Sequence, residues 1–238
     1  MKLIIIGRGN VATNLLEAYQ RQRVPVEMVS SREGLDALPT DADAYIYAVR
    51  DNALQDVINK VHVPARALHV HTSGTMPITV FGADKPHCGI FYPFQTFSKE
   101  HIIEDFTTIP IFFEAKAIDD VTAIYSLALA ITPHIYETTQ ADRERLHVAG
   151  VMANNFTNCL YGIAKDILAD THIPFSALLP LMDETVQKIH TLSPKDAQTG
   201  PARRGDETVM QHHLELLKRE DYREVYQLMS RIIQTQQS

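Results

Sequence analysis

The sequence predicts an α/β fold: a doubly wound, mostly parallel sheet followed by an all-α region. Three observations carry this. The chain opens on the apolar run Leu3-Ile4-Ile5-Ile6, which ends in Gly7-Arg8-Gly9-Asn10-Val11-Ala12. Short apolar runs then alternate with helical patterns as far as about Tyr136, the alternation that builds parallel sheets with right-handed crossovers. From about Gln140 onward the patterns are helical only.

Taken in order, Met1 to Ile6 reads as a buried strand. Val11, Leu15, Leu16, Ala18 and Tyr19 then mark an amphipathic helix that ends near Arg23. Val24 to Ser30 reads as a second strand, with Pro25 tolerated near its start. Asp43 to Arg50 is a third strand, and Asp51 to Val61 a helix with Asp51 or Asn52 as its N-cap. Ala67 to His71 is a fourth strand. Further strand-like pieces are His87 to Phe91, Ile109 to Phe113 and His134 to Tyr136, with a helix from Ile118 to Ile131. Gln140 to about Asp170 reads as one long helix, and Ser176 to His190 as another after Pro174. Thr191 to Gly205 is a loop, and Glu207 to Leu217 and Asp221 to Gln234 are helices. The expected division is 1–138 for the α/β domain and 139–238 for the helical one.

Composition narrows the function classes. The chain has 238 residues, 45% hydrophobic and 21% charged, as a globular protein with a core would. A formal net charge of −7 argues against binding nucleic acid through a basic surface. No apolar stretch reaches membrane-spanning length, and the start lacks the pattern of a secretory signal. A cytoplasmic protein is expected. The two cysteines, Cys88 and Cys159, lack metal-like spacing and read as ordinary buried thiols; no metal is predicted.

The glycine run has the G-x-G-x-x-A spacing of the Rossmann-like dinucleotide fingerprint. Gly7 would allow a tight turn, Gly9 the approach of a pyrophosphate, and Ala12 close helix–strand packing. The pyrophosphate would lie on the free amides of the helix N-terminus, with Arg8, Asn10 and Val11 alongside. A NAD site would place an acid at the tip of the second strand. This chain has Ser30-Ser31-Arg32 there. A guanidinium and hydroxyls suit a 2′-phosphate, so Ser31 and Arg32 point to NADPH. Val49 and His71, at the ends of the third and fourth strands, and Ser73 just beyond lie at the carboxyl edge where open α/β sheets bind ligands, and are further cofactor candidates. His71-Thr72-Ser73-Gly74 has an equally good reading as local turn capping.

The loop Phe91-Tyr92-Pro93-Phe94-Gln95-Thr96-Phe97 offers an apolar wall with one polar anchor, Gln95. In the long helix, His147, Val151, Asn154, Asn155 and Asn158 fall within roughly 100° at α-helical spacing. Asparagine is locally unfavourable in a helix interior, and a sequence gives up local preference most readily where function requires it. Asn155 and Asn158 would hold a carbonyl, carboxylate or amide, and His147 would donate a proton. A polar helix–helix contact is the alternative. In Thr199-Gly200-Pro201-Ala202-Arg203-Arg204-Gly205-Asp206, Asp206 reads as a helix cap and Arg204 as a clamp for an anionic group.

Together GRGNVA, HTSG, YPFQTF, the His147-to-Asn155 helix and TGPARRGD resemble a bacterial family that joins a Rossmann-like NADP-binding domain to a helical C-terminal domain of unknown function. That family is similar in architecture to pyrroline-5-carboxylate reductase, ketopantoate reductase, and the 6-phosphogluconate and 3-hydroxyisobutyrate dehydrogenases. The resemblance spans essentially the whole chain. It implies a helical half like the C-terminal domain of 6-phosphogluconate dehydrogenase, NADP bound through Gly7 to Val11, Ser31 and Arg32, a cleft between the domains, and homodimerisation through the helical half. The hydroxyacid dehydrogenases and ketopantoate reductases place a lysine one helical turn before an asparagine. Here Val151 precedes Asn155 and Asn154 precedes Asn158, so His147 is the nearest replacement. The expected function is NADPH-dependent reduction of a C=O or C=N group on a small anionic metabolite. The alternative is a non-catalytic NADPH-binding sensor.

Overall fold

The computed structural model describes residues 1–237. The chain divides into two compact units, Met1–Asn154 and Asn155–Ser238.

The first unit is built on a seven-stranded sheet in the order β2-β1-β3-β4-β5-β6-β7. Its strands are β1 (Leu3–Ile6), β2 (Val26–Val29), β3 (Ala44–Tyr47), β4 (Leu68–His71), β5 (Cys88–Pro93), β6 (Ile111–Ala115) and β7 (Ile135–Glu137). All residues of β1, β3 and β4 are buried, as expected of central strands covered on both faces. β2 is a half-exposed edge, which tolerates Pro25 just before it. The first five strands run parallel, with Ile6 opposite both Val29 and Tyr47, and Tyr47 opposite His71. β6 runs antiparallel to β5, and β7 runs parallel to β6. The chain leaving β5 returns along the same sheet, and the amide of Phe94 extends the ladder by donating to Pro110 O at 2.9 Å.

Side-chain alternation splits the core into two layers. Leu3, Ile5, Ile46 and Val70 face α1 (Asn10–Arg21) and α3 (Ile118–Leu129), packing on Leu15, Tyr19, Ile124 and Leu127. Ile4, Ile6, Tyr45 and Tyr47 face α2 (Asp51–Lys60), packing on Leu54, Val57 and Ile58. The first-layer helices are tied by the buried Tyr19 hydroxyl, which donates to Leu127 O at 3.0 Å. Asn14, 1% exposed, is a second tie: its amide donates to Ser98 O at 2.9 Å, and its oxygen accepts from the Ile103 amide at 3.0 Å.

The expected long helix is three segments: α4 (Gln140–Gly150), a π-helical turn at Val151–Phe156, and α5 (Thr157–Leu168). The first compact unit therefore ends at Asn154, past the expected boundary at 138, because α4 is fastened to the sheet. Residues 143, 147 and 150 lie on one face of α4, at i, i+4 and i+7. Arg143 reaches β6, His147 meets Tyr92, and Gly150 receives the Phe94 ring: a Cβ at Gly150 would lie 2.7 Å from Phe94 Cζ.

The second unit continues through α6 (Leu179–Ile189), α7 (Pro194–Ala197), α8 (Pro201–Arg204), α9 (Glu207–Leu216) and α10 (Glu220–Gln237). The expected loop at 191–205 thus holds two short helices. The TGPARRGD segment is a stop–start device. Gly200 has φ +104, Pro201 takes the first helical turn, Gly205 closes α8 at φ +66, and Asp206 caps α9 by accepting from the Val209 amide at 3.1 Å. Cys88 is buried, but Cys159 on α5 is exposed, against the expectation of two buried thiols. No described helix is long and apolar enough to cross a membrane.

Candidate active site

The carboxyl ends of β2, β1, β3 and β4 lie side by side in register, so the segments that follow them converge on one edge of the sheet. Gly7 turns directly after β1. Its φ is +131, and a Cβ there would lie 2.2 Å from Ala48 O, so only glycine fits between β1 and the end of β3. Gly9 is different. It is the N-cap of α1, with φ −84, and a Cβ added to it would meet nothing within 4 Å. No side chain caps α1, and no acidic residue occupies its first turn. By contrast, Thr139 caps α4, accepting from the Asp142 amide, and Asp119 and Asp120 lie in the first turn of α3. The α1 terminus is therefore the bare, positively polarised end that suits a phosphate group.

Three arginines follow the strands that end at this edge. Arg8 follows β1, Arg32 follows β2 and Arg50 follows β3, all exposed, and none forms an ion pair among the described residues. Ser31 is half-buried beside Arg32, and the Ser30 hydroxyl accepts from the Arg32 amide at 3.2 Å. The chain has net charge −7, and these three guanidinium groups follow adjacent strand ends, with Glu33 and Asp51 next to two of them in sequence. The residues present fit a dinucleotide carrying a pyrophosphate and a further phosphate. Val49, expected near the cofactor, is half-buried beside Arg50.

His71 lies beneath this edge. Its ring is 0% exposed and stacks on Phe81 at 5.6 Å between centroids, and burial pushes its pKa down to about 4, so it is neutral. Its Nδ1 accepts from the Ser73 amide at 3.2 Å. The Ser73 hydroxyl oxygen accepts from the amides of Thr75 and Met76 at 3.1 and 3.0 Å. Both side chains thus hydrogen-bond within the loop after β4, while the buried His71 Nε2 has no partner among the described residues. Asp51 does not cap α2; Arg50 holds that position, and the Asp51 carboxylate accepts from the Thr75 hydroxyl at 2.7 Å.

Next to this loop stands a polar cluster that sequence reading only touched. Tyr92 Oη and His147 Nδ1 share a hydrogen bond of 3.1 Å. A Cβ at Gly74 would lie 2.8 Å from Tyr92 Cζ and 2.9 Å from His147 Nδ1, so glycine is needed for the pair to meet there. Burial raises the Tyr92 pKa, which Arg143 draws down and Asp51 pushes up, and the phenol stays protonated. Arg143 is 0% exposed. It donates to Glu114 Oε2 at 2.6 Å and to Met76 O at 3.0 Å, and its Nε has no partner. The i, i+4 spacing of Arg143 and His147 was the available signal.

Gln95 is exposed and folds back locally, its oxygen accepting from the Thr96 amide at 2.8 Å. Asn155 and Asn158 are exposed residues of the second unit, in the π-turn and in α5. The π-turn alters the spacing past Val151, so the roughly 100° sector expected at α-helical geometry does not describe these side chains. Arg203 is committed to its own loop, donating to Asp196 O at 3.1 Å and to Gln198 O, whereas Arg204 is exposed.

Residues 109–233 match the family described as Domain of unknown function (DUF2520), just over half of the chain. The chain belongs to that family. Among solved structures it is similar to BF3122 of Bacteroides fragilis, provisionally named an NADP oxidoreductase. That likeness has a TM-score of 0.88 and 35% identity over 98% of both chains. It is also similar to an imine reductase from Myxococcus stipitatus in complex with NADP+ (TM-score 0.61, 13% identity, 99% of this chain and 92% of that one). A third is a Plasmodium falciparum pyrroline carboxylate reductase with NADP bound (TM-score 0.62, 10% identity, 100% of both chains). The last two share the fold: a Rossmann-like sheet followed by helices. No functionally curated protein matches the chain.

Proposed function

We propose that this chain is an NADPH-dependent oxidoreductase that reduces a C=O or C=N group on a small anionic metabolite. The observation that carries the reading is the uncapped α1 terminus at Gly9, at the sheet edge where Arg8, Arg32 and Arg50 follow β1, β2 and β3. The amides of Gly9 to Ala12 bind the pyrophosphate, and Ser31 with Arg32 holds the 2′-phosphate. Val49 and the loop at Ser73 line the same edge. NADP appears in the names of the B. fragilis, M. stipitatus and P. falciparum structures, which supports this choice of cofactor.

The cofactor supplies the hydride when bound. The chain's residues supply binding and a proton. His147 donates the proton to the reacting oxygen or nitrogen, and Gln95 binds the rest of the substrate. A second copy of the chain forms a homodimer through the helical half. The support for that is Leu181, Val186 and Ile189 on α6, which are 66%, 48% and 51% exposed; exposed apolar faces of this kind mark interaction surfaces.

The test is NADPH fluorescence titration followed by turnover with pyrroline-5-carboxylate and 2-oxobutanoate as probes. His147→Ala is expected to lower kcat by about 100-fold, the ordinary contribution of a general acid, with NADPH affinity kept. Tight NADPH binding without oxidation by any probe, and with a change in assembly state, would replace this reading with the sensor.

A further inference from the structure

We infer that Tyr92 is the positioning residue for His147, and that it assigns the proton-exchanging role to Nε2. This deepens the proposed reduction and rests on it for the role of His147, but the geometry stands on its own.

The hydrogen bond between Tyr92 Oη and His147 Nδ1 is 3.1 Å long. A phenol oxygen can accept from Nδ1–H whether the imidazole is charged or neutral. When His147 is protonated, Nδ1–H donates to Oη. When Nε2 has given up its proton, the neutral ring is the Nδ1–H tautomer, and Nδ1–H still donates to Oη. Nδ1 is engaged throughout, and Nε2, which makes no hydrogen bond among the described residues, is left to exchange the proton. A carboxylate in the same place could only accept, and would bias the ring toward its charged form.

The surroundings fix Tyr92 and His147 from both sides. The Tyr92 ring meets Phe94 edge-on at 5.8 Å, and Phe94 in turn packs against Gly150, one turn beyond His147 on α4. Gly74 lies against the hydrogen bond, with room for a hydrogen atom and none for a methyl group. On the other side of His147, Arg143 clamps α4 to Glu114 and to the Met76 carbonyl. The titratable and charged groups that share this neighbourhood are His71, Asp51, Arg143 and Glu114. Tyr92 is the one that holds the imidazole directly.

The experiment is long-range 1H–15N NMR on the 15N-labelled full-length chain, with the His147 ring assigned by comparison with His147→Ala. In the parent protein, the Nδ1 and Nε2 shifts of His147 should be those of a held ring, distinct from the fast-exchanging average of a free histidine. Tyr92→Phe should collapse them to that average. Gly74→Ala should do the same while leaving both partners chemically intact. Shifts unchanged in both variants, or a free-histidine average already present in the parent protein, would overturn the inference. Turnover separates this from the wider reading. If His147→Ala abolishes reduction while Tyr92→Phe leaves both kcat and the ring shifts alone, the inference fails and the oxidoreductase stands. If His147→Ala reduces the probes at the parent rate, the proton-donor role fails, and the shifts still decide whether Tyr92 holds the ring.

Discussion

Replacing Arg143 with Met tests whether α4 belongs to the sheet domain. The Arg143 side chain is 0% exposed, and its partner Glu114 is 24% exposed. Removing one member of a buried ion pair costs about 3–5 kcal/mol, because the other charge is left without compensation. A quarter of Glu114 remains in water, so the lower end applies: about 3 kcal/mol. The carbonyl of Met76 loses its donor as well, but it lies in a loop where water can replace it. For a unit of this size a loss of that order moves the melting midpoint by about 6–12 °C. Differential scanning calorimetry of the full chain reads this directly, and hydrogen exchange should show the α4 amides losing protection first. Arg143→Lys should fall between the two, since one ammonium cannot serve Glu114 and Met76 O in the same forked geometry. The double variant Arg143→Met/Glu114→Leu should recover much of the loss, because no orphan charge remains. A midpoint for Arg143→Met within about 2 °C of the parent, a shift worth less than 1 kcal/mol, would refute the assignment of α4 to the first unit through this pair.

The two fingerprint glycines should separate cleanly. Gly7→Ala drives a Cβ to within 2.2 Å of Ala48 O at φ +131, so the chain should lose about 3 kcal/mol or more, read from urea midpoints. Gly9→Ala meets open space and should keep the parent midpoint while weakening NADPH by tenfold or more; equal behaviour of the two variants would contradict the geometry. Arg32→Ala should weaken NADPH by about 10- to 150-fold, the worth of a charge-assisted hydrogen bond of about 1.5–3 kcal/mol, with NADH little changed; parallel calorimetric titrations decide it. Acid should destabilise the fold. Burial holds His69 and His71 down to about 3 and about 4, below the ordinary 6.5. Below 6.5 the unfolded chain takes up protons that the folded chain refuses. Stability is then complete above that pH and falls toward pH 4, by up to about 1.4 kcal/mol per pH unit for each histidine. A urea midpoint that does not change between pH 7.5 and pH 5 would refute their neutral burial.

The sheet was legible in the sequence because each strand announces itself locally. Leu3 to Ile6 is apolar at every position and buried at every position. The direction of β6 was not legible, because nothing in Ile111 to Ala115 says which way the chain runs; the return through Pro110 decides that. The glycine turn was legible because Gly7 has a backbone that other residues rarely adopt. The π-turn at Val151–Phe156 was not, because its residues look helical and the change lies only in hydrogen-bond spacing. Arg143 was missed for a related reason. ADRERL reads as a solvated helical face, and only the position of Glu114 on β6 shows that one of its charges points inward. The burial of His71 was not legible from its place at the sheet edge; alternation along β4 turns its ring into the layer with Phe81.

The buried amide of Asn14 makes a distant loop a witness to events at the start of α1. It sits one turn in from the bare terminus, and it supplies the acceptor that the Ile103 amide uses. Tightening of the first turn of α1 is therefore expected to slow deuterium uptake at Ile103, whose amide donates to Asn14 Oδ1. That single amide is a built-in gauge, and it would report occupancy at the glycine turn without any label, substrate or turnover.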